Sequence, residues 1–173
     1  MGKVFHVDKQ IANKNVEDSI TEWTKVVKYG DINAEDRLFG GTLMSWIDEV
    51  AGTVAVRHSG NPIATAAIDN MQFKQGAVLG DVLVMIGKIT YVGKTSMEVR
   101  VDTYVEDVKT GMRHVLNRAY LTEVCIDDDG TPCLVPYGLN VRTENEKAEW
   151  EGAIKRRELR KQRRMEGFSF HER

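Results

Sequence analysis

Between residues 42 and 55 apolar side chains recur with a helical period. Leu43, Met44, Ile47, Val50, Ala51, Val54 and Ala55 fall on one face at about 3.6 residues per turn. That stripe is wide for a surface helix and predicts one wrapped on several sides. After Ser59-Gly60-Asn61-Pro62 the period changes to two. Strands are expected over 63–73, 82–91, 97–106 and 114–126, separated by turns around 76–81 and at Asp129-Gly130. The run 82–91 is apolar almost throughout, as in a strand covered on both faces. Over 97–106 Met97, Val99, Val101, Thr103 and Val105 predict a dry face. Glu98, Arg100, Asp102, Tyr104 and Glu106 predict a wet one. An earlier strand is expected over 21–29, followed by a turn-rich loop over 30–36, and a short extended piece over 134–136.

One strand, one long apolar helix and four strands joined by short turns give an α+β chain. Strands so joined pair antiparallel. Wrapping one curved sheet around the single helix is the economical way to bury it, which is the hotdog arrangement. The organisation expected is an N-terminal arm over 1–20, a hotdog domain over 21–142 and a charged C-terminal helical tail over 143–173. Seven Lys or Arg lie between Lys155 and Arg164 against the one acid Glu158. Such a helix, acidic first and basic later, suits its own dipole as a solvated element. It also makes a cationic arm for an anionic ligand's phosphates, with Lys155, Arg157 and Arg160 as candidates.

Composition narrows the function classes. With 173 residues, 42% hydrophobic, the chain fills one core. A net charge of -2 with 29% charged residues demands no polyanion. The tail's basic residues lack interleaved aromatics, so nucleic acid is not an expected partner. The apolar runs fall far short of the roughly 20 residues of a membrane span, and no membrane partner is expected. Residues 1–10 carry charges and a His where a signal peptide is apolar, so a cytoplasmic location is expected. Cys125 and Cys133 flank a hairpin-like Asp127-Asp128-Asp129-Gly130 and are read as two free thiols. His6, His58, His114 and His171 are scattered, no Cys/His pair has a zinc spacing, and neither a metal nor a cofactor is expected.

The candidate chemistry lies around the helix. Gly40-Gly41 stands where the chain enters it, so backbone N–H groups there lack intrahelical partners and the glycines let a ligand approach. A carbonyl held there meets donors as its oxygen gains charge. Asp48 lies about 90° from the centre of the apolar stripe, at its margin. Gly41, Ser45, Asp48 and Gly52 share one strip, a groove whose one charge is Asp48. An acid partly buried there is costly unless it is paired or functional. As a general base it takes a proton from water; as a nucleophile it forms an anhydride that water opens. Asn33, in the loop, either orients water, bonds the carbonyl or serves the turn. Lys94, Thr95 and Ser96, first of all a hairpin turn, are also candidate donors to a pantetheine or phosphate group.

These residues form a pattern. The segment FGGTLMSWIDEVAG at 39–52, followed by VAVRH at 54–58, resembles the cytosolic acyl-CoA thioester hydrolase family. KTSMEV at 94–99, LVP at 134–136 and the charged tail follow in the family's order, and the resemblance covers roughly residues 21–165. It implies a hotdog fold and hydrolysis of acyl-CoA to a free fatty acid and CoA. It implies a double-hotdog dimer, often assembled as a trimer of dimers, with the active site at the dimer interface. It also implies a catalytic pair, here Asp48 and Asn33, meeting across subunits. Two segments depart from the family pattern: Ala34-Glu35-Asp36, where a Gly commonly follows the Asn, and residues 71–75. The rival activities are an acyl-CoA hydratase or dehydratase, which calls for a His within the helix, and a non-catalytic acyl-CoA-binding module, which has no use for Asp48.

Overall fold

In the computed structural model, which describes residues 7–73 and 76–167, the periodic stretch forms helix α1 (Gly40–Ser59). Its buried face is Leu43, Ile47, Val50, Ala51, Val54 and Ala55. Gly60 ends it in the left-handed region at φ 75°, its N–H donating to Val56 O. Around α1 curve β2 (Thr21–Val26), β3 (Ile63–Phe73), β4 (Val82–Val92), β5 (Ser96–Glu106) and β6 (Arg113–Cys125). They form one antiparallel sheet in the order β2-β4-β5-β6-β3, the hotdog architecture. Leu83, Met85, Ile89, Met97, Val99, Val101, Leu116 and Leu121 of the sheet close the core with the helix. Gly87 on β4 lets α1 lie close, because a Cβ there would stand 2.8 Å from both Val50 Cγ1 and Val54 Cγ2.

The helix is less enclosed than its sequence predicts. Met44, Ser45, Glu49 and Val56 are exposed, since five strands cover one side of α1 and none of the described residues covers these positions on the other.

Residues 12–15, expected to be part of an arm, form β1 (Ala12–Asn15), paired in parallel with β7 (Tyr137–Asn140). The short extended piece expected over 134–136 leads directly into β7. These strands are held by backbone pairing and by Asn140 Nδ2 donating to Asn15 Oδ1 at 2.9 Å, so they carry no apolar alternation to read. Lys14 reaches the end of α1, donating to Arg57 O at 2.9 Å and His58 O at 2.7 Å. There it neutralises carbonyls that have no helical partner.

The tail forms α2 (Glu144–Met165), opened by a capping box between Thr143 and Glu146. It is not simply solvated. It lies on the sheet face opposite α1, and the supposedly wet side of β5 is sealed beneath it, Glu98 being 2% and Asp102 6% exposed. Arg156 binds Glu98 through two nitrogens, at 2.7 and 3.0 Å. Arg100 is held between Asp102 and Glu149, and Trp150 stacks on Tyr91 with ring centroids 4.5 Å apart. Opposite charges on two elements replace water, which alternation alone cannot reveal. Cys125 and Cys133 are thiols with sulfurs 3.2 Å apart, and burial pushes the Cys125 thiol up to about 12.

Candidate active site

Asp48 sits at the half-buried flank of α1, where β3 and β6 pass beneath. Thr65 of β3 and Glu123 of β6 are Cα partners, so pairing brings both side chains under the helix. Thr65 Oγ1 lies 2.7 Å from Asp48 Oδ1 and 3.1 Å from Glu123 Oε2. Glu123 is wholly buried. Burial pushes its carboxyl up to about 7, opposed by the Thr65 hydrogen bond and reinforced by the negative charge of Asp48. The expected groove with one charge therefore holds two carboxyl groups bridged by one hydroxyl. Neither Thr65 nor Glu123 was singled out from the sequence. A signal existed for Glu123: it lies midway between inward-facing Leu121 and Cys125, at the inward step of a period of two.

Helix α1 begins at Gly40, and its first backbone bond runs from Leu43 N to Phe39 O at 3.1 Å. The Gly40 and Gly41 N–H groups have no partner among the described residues. The Phe39 ring folds so closely over Gly41 that a Cβ there would stand 2.5 Å from it, and the Phe73 ring lies over Gly40. From Gly41 to Asp48 the helix rises about 10 Å. One chain therefore does not bring these amides and this carboxylate onto one small group.

Asn33 does serve its turn: Oδ1 accepts from Glu35 N at 3.0 Å and Arg37 N at 3.2 Å. Its Nδ2 donors have no partner among the described residues. Asp36, in the segment that departs from the family's Gly-containing pattern, adopts φ 54°, a left-handed conformation that glycine takes without strain. The loop is tied to its surroundings by Phe39 N donating to Asp31 O and Leu38 N to Ala77 O, each at 2.8 Å. Of the other divergent segment, Lys74 and Gln75 lie outside the described residues.

The candidate phosphate-binding residues divide. Thr95, Ser96, Arg157 and Arg160 line one crevice of about 350 Å³, joined by Lys161 and Arg164. Lys94 and Lys155 are exposed and do not line it. Arg157 donates to Tyr91 OH at 2.8 Å, and Arg160 pairs with Asp69. Ala66, Thr122 and Val124 also line this crevice, one residue along from Thr65 and Glu123. The crevice therefore opens on the α2 face of the sheet, with Asp48 on the α1 face. Among the described residues no group of His, Cys, Asp or Glu is arranged to hold a metal ion, and no helix is long and apolar enough to cross a membrane.

Known proteins share this sequence and architecture. The thioesterase superfamily model matches residues 36–112, a span that opens just before α1 and carries Asp48 and Thr65. A Bacillus subtilis protein named uncharacterized acyl-CoA thioester hydrolase YkhA is 36% identical over 146 residues, 82% of this chain and 84% of its own. The acyl-CoA hydrolase of Staphylococcus aureus, solved with butyryl coenzyme A, coenzyme A and coenzyme A disulfide, superposes with a TM-score of 0.83 at 36% identity. That match covers 89% of this chain and 93% of the other. A hexameric acyl-CoA thioesterase solved without ligand superposes equally well, TM-score 0.83 at 38% identity, over 88% of this chain and 97% of its own. By sequence along most of its length and by fold, this chain belongs to the acyl-CoA thioester hydrolase family.

Proposed function

We propose that this protein hydrolyses acyl-CoA to a free acid and CoA, with Asp48 as the general base. The observation that carries the reading is the half-buried Asp48 carboxylate. Thr65 holds its Oδ1, leaving Oδ2 without a partner among the described residues and available to take a proton from water. The water attacks the thioester carbonyl, and the oxygen that gains charge meets the N–H groups of Gly40 and Gly41. Such donors are worth roughly 100- to 1000-fold in rate. Asn33, its Oδ1 already engaged, acts through Nδ2 as a donor to the carbonyl or the water. The thiolate leaves without a strong acid, so the reaction requires no cofactor.

Two chains complete the site. Asp48 and the helix amides are too far apart along one helix, so an antiparallel second copy supplies the partner set. The apolar surface at the start of α1 favours this: Phe39 is 56%, Phe73 51% and Met44 41% exposed. A double-hotdog dimer covers that surface, and three dimers form the assembly we propose, in keeping with the hexameric relative. The crevice on α2 takes the phosphates of CoA, with Arg157, Arg160, Thr95 and Ser96 as contacts and Lys94 and Lys155 at its margins.

Thiol release from a series of acyl-CoA esters tests the reading. Turnover is expected with at least one ester, and Asp48→Asn is expected to lose at least about 100-fold in kcat while folding normally. Unchanged turnover in the variant excludes Asp48 as the base. A single turnover in ¹⁸O-labelled water separates base from nucleophile. Label in the product acid is expected, and label transferred to Asp48 indicates the anhydride route.

A further inference from the structure

Thr65 has one hydroxyl hydrogen, yet its oxygen is within hydrogen-bonding distance of two carboxyl groups. If both were ionised, one contact would set lone pair against lone pair. Two negative charges would then share one donor, and one of them, on Glu123, would be wholly buried. We infer that Glu123 is kept as a neutral carboxylic acid whose proton is donated to Thr65, so that the Thr65 hydrogen is directed wholly at Asp48 and orients it for catalysis. The inference rests on the reading of Asp48 as the base, and it makes Glu123 a positioning residue that does not touch substrate.

Three observations carry it. The shorter contact, 2.7 Å, is the one to Asp48 and the longer, 3.1 Å, the one to Glu123. That is the order expected when the charge-assisted bond points at the anion and the neutral one feeds the hydroxyl. Second, Glu123 Oε1 is buried with no hydrogen-bond partner. An orphaned carbonyl oxygen of an acid is tolerable, whereas an orphaned carboxylate oxygen in the core is far more costly. Third, no cation among the described residues answers Glu123. The groups that face it are Asp48 from α1, Thr65 from β3 and, from β5, the uncharged Met97 that pairs with it in register. Among the described residues it forms no ion pair, unlike the buried Glu98 and Asp102 on the other face. The upward shift of its titration described above agrees with this geometry.

Once Glu123 ionises, the Thr65 hydroxyl is contested and Asp48 loses its fixed partner, so kcat should fall as pH rises through the neutral range. Glu123→Gln keeps an N–H to feed Thr65 and cannot ionise. It is expected to retain kcat within about threefold at pH 6 and to lose the fall above pH 7. Glu123→Ala is expected to lower kcat about 10- to 100-fold with little change in KM, the loss of a hydrogen bond that serves a charged group. Infrared difference spectra read the proton directly: a protonated-carboxyl band present in the wild-type protein at pH 6, titrating away near neutrality and missing from Glu123→Gln. Absence of that band overturns the inference even if the protein is a thioesterase. An unchanged pH profile in Glu123→Gln, with its fold verified by circular dichroism, also overturns it. The infrared measurement needs no turnover, so failure of the thioesterase reading is seen separately in the thiol-release assay.

Discussion

Replacing Arg156 by Met tests whether the C-terminal helix is part of the fold or an appendage to it. Glu98 is 2% exposed, and its carboxylate is met by two Arg156 nitrogens and by Thr90 Oγ1 at 2.7 Å. The guanidinium also lies 3.6 Å above the centre of the Tyr120 ring. Met keeps much of the side chain's volume but leaves a buried carboxylate without its cation, a change that costs about 3–5 kcal/mol. The surviving Thr90 bond and the partial exposure of Arg156 place the expected loss near the lower end, about 3 kcal/mol. With a urea m-value of about 2 kcal/mol/M, the midpoint should drop by about 1.5 M at fixed protein concentration. The double variant Glu98→Met with Arg156→Met buries no charge and should recover most of the loss. A single-variant cost below about 1 kcal/mol, the range of exposed ion pairs, would refute the reasoning. So would a double variant no more stable than the single.

Two further perturbations test the packing and the titration. Gly87→Ala places a methyl 2.8 Å from two valine carbons of α1 and should cost about 1–3 kcal/mol, read by thermal unfolding; an unchanged midpoint would mean that α1 is free to move off the sheet. The Glu123 carboxyl titrates at about 7 in the folded chain against an ordinary 4.5. The folded state therefore holds a proton that the unfolded state releases, and stability declines as pH rises from 4.5 to 7. At 1.36 kcal/mol per pKa unit that decline is about 3 kcal/mol. Urea unfolding across this window should show it in the wild-type protein and not in Glu123→Gln, and equal slopes for the two would contradict it.

Much of this was legible in the chain. The period of Leu43, Ile47, Val50, Ala51, Val54 and Ala55 marks α1, and the switch to period two after Pro62 marks the sheet. Asp48 stands out as a charge at the margin of an apolar stripe. What stayed hidden depends on partners distant in sequence. Glu98 reads as a solvent-facing residue until Arg156 is folded onto it, 58 positions away. β1 and β7 pair through backbone groups, which leave no side-chain pattern. Thr65 looks like any strand threonine, and its meaning comes from lying between two acids that belong to other elements. The separation of Asp48 from Gly41 is implicit in seven helical residues, and it supports the proposed site shared between two chains, which the family resemblance already implied.

Mixing two inactive variants tests that shared site most directly. Asp48→Asn and Asn33→Ala chains, each inactive alone, are unfolded together, refolded in equal amounts and assayed for thiol release. If the acid of one chain works with the loop amide of the other, half the dimers are mixed and each carries one intact site. About a quarter of the wild-type activity should then return. If mixed dimers form and no activity returns, Asp48 and Asn33 act within a single chain, and the two-chain site is wrong.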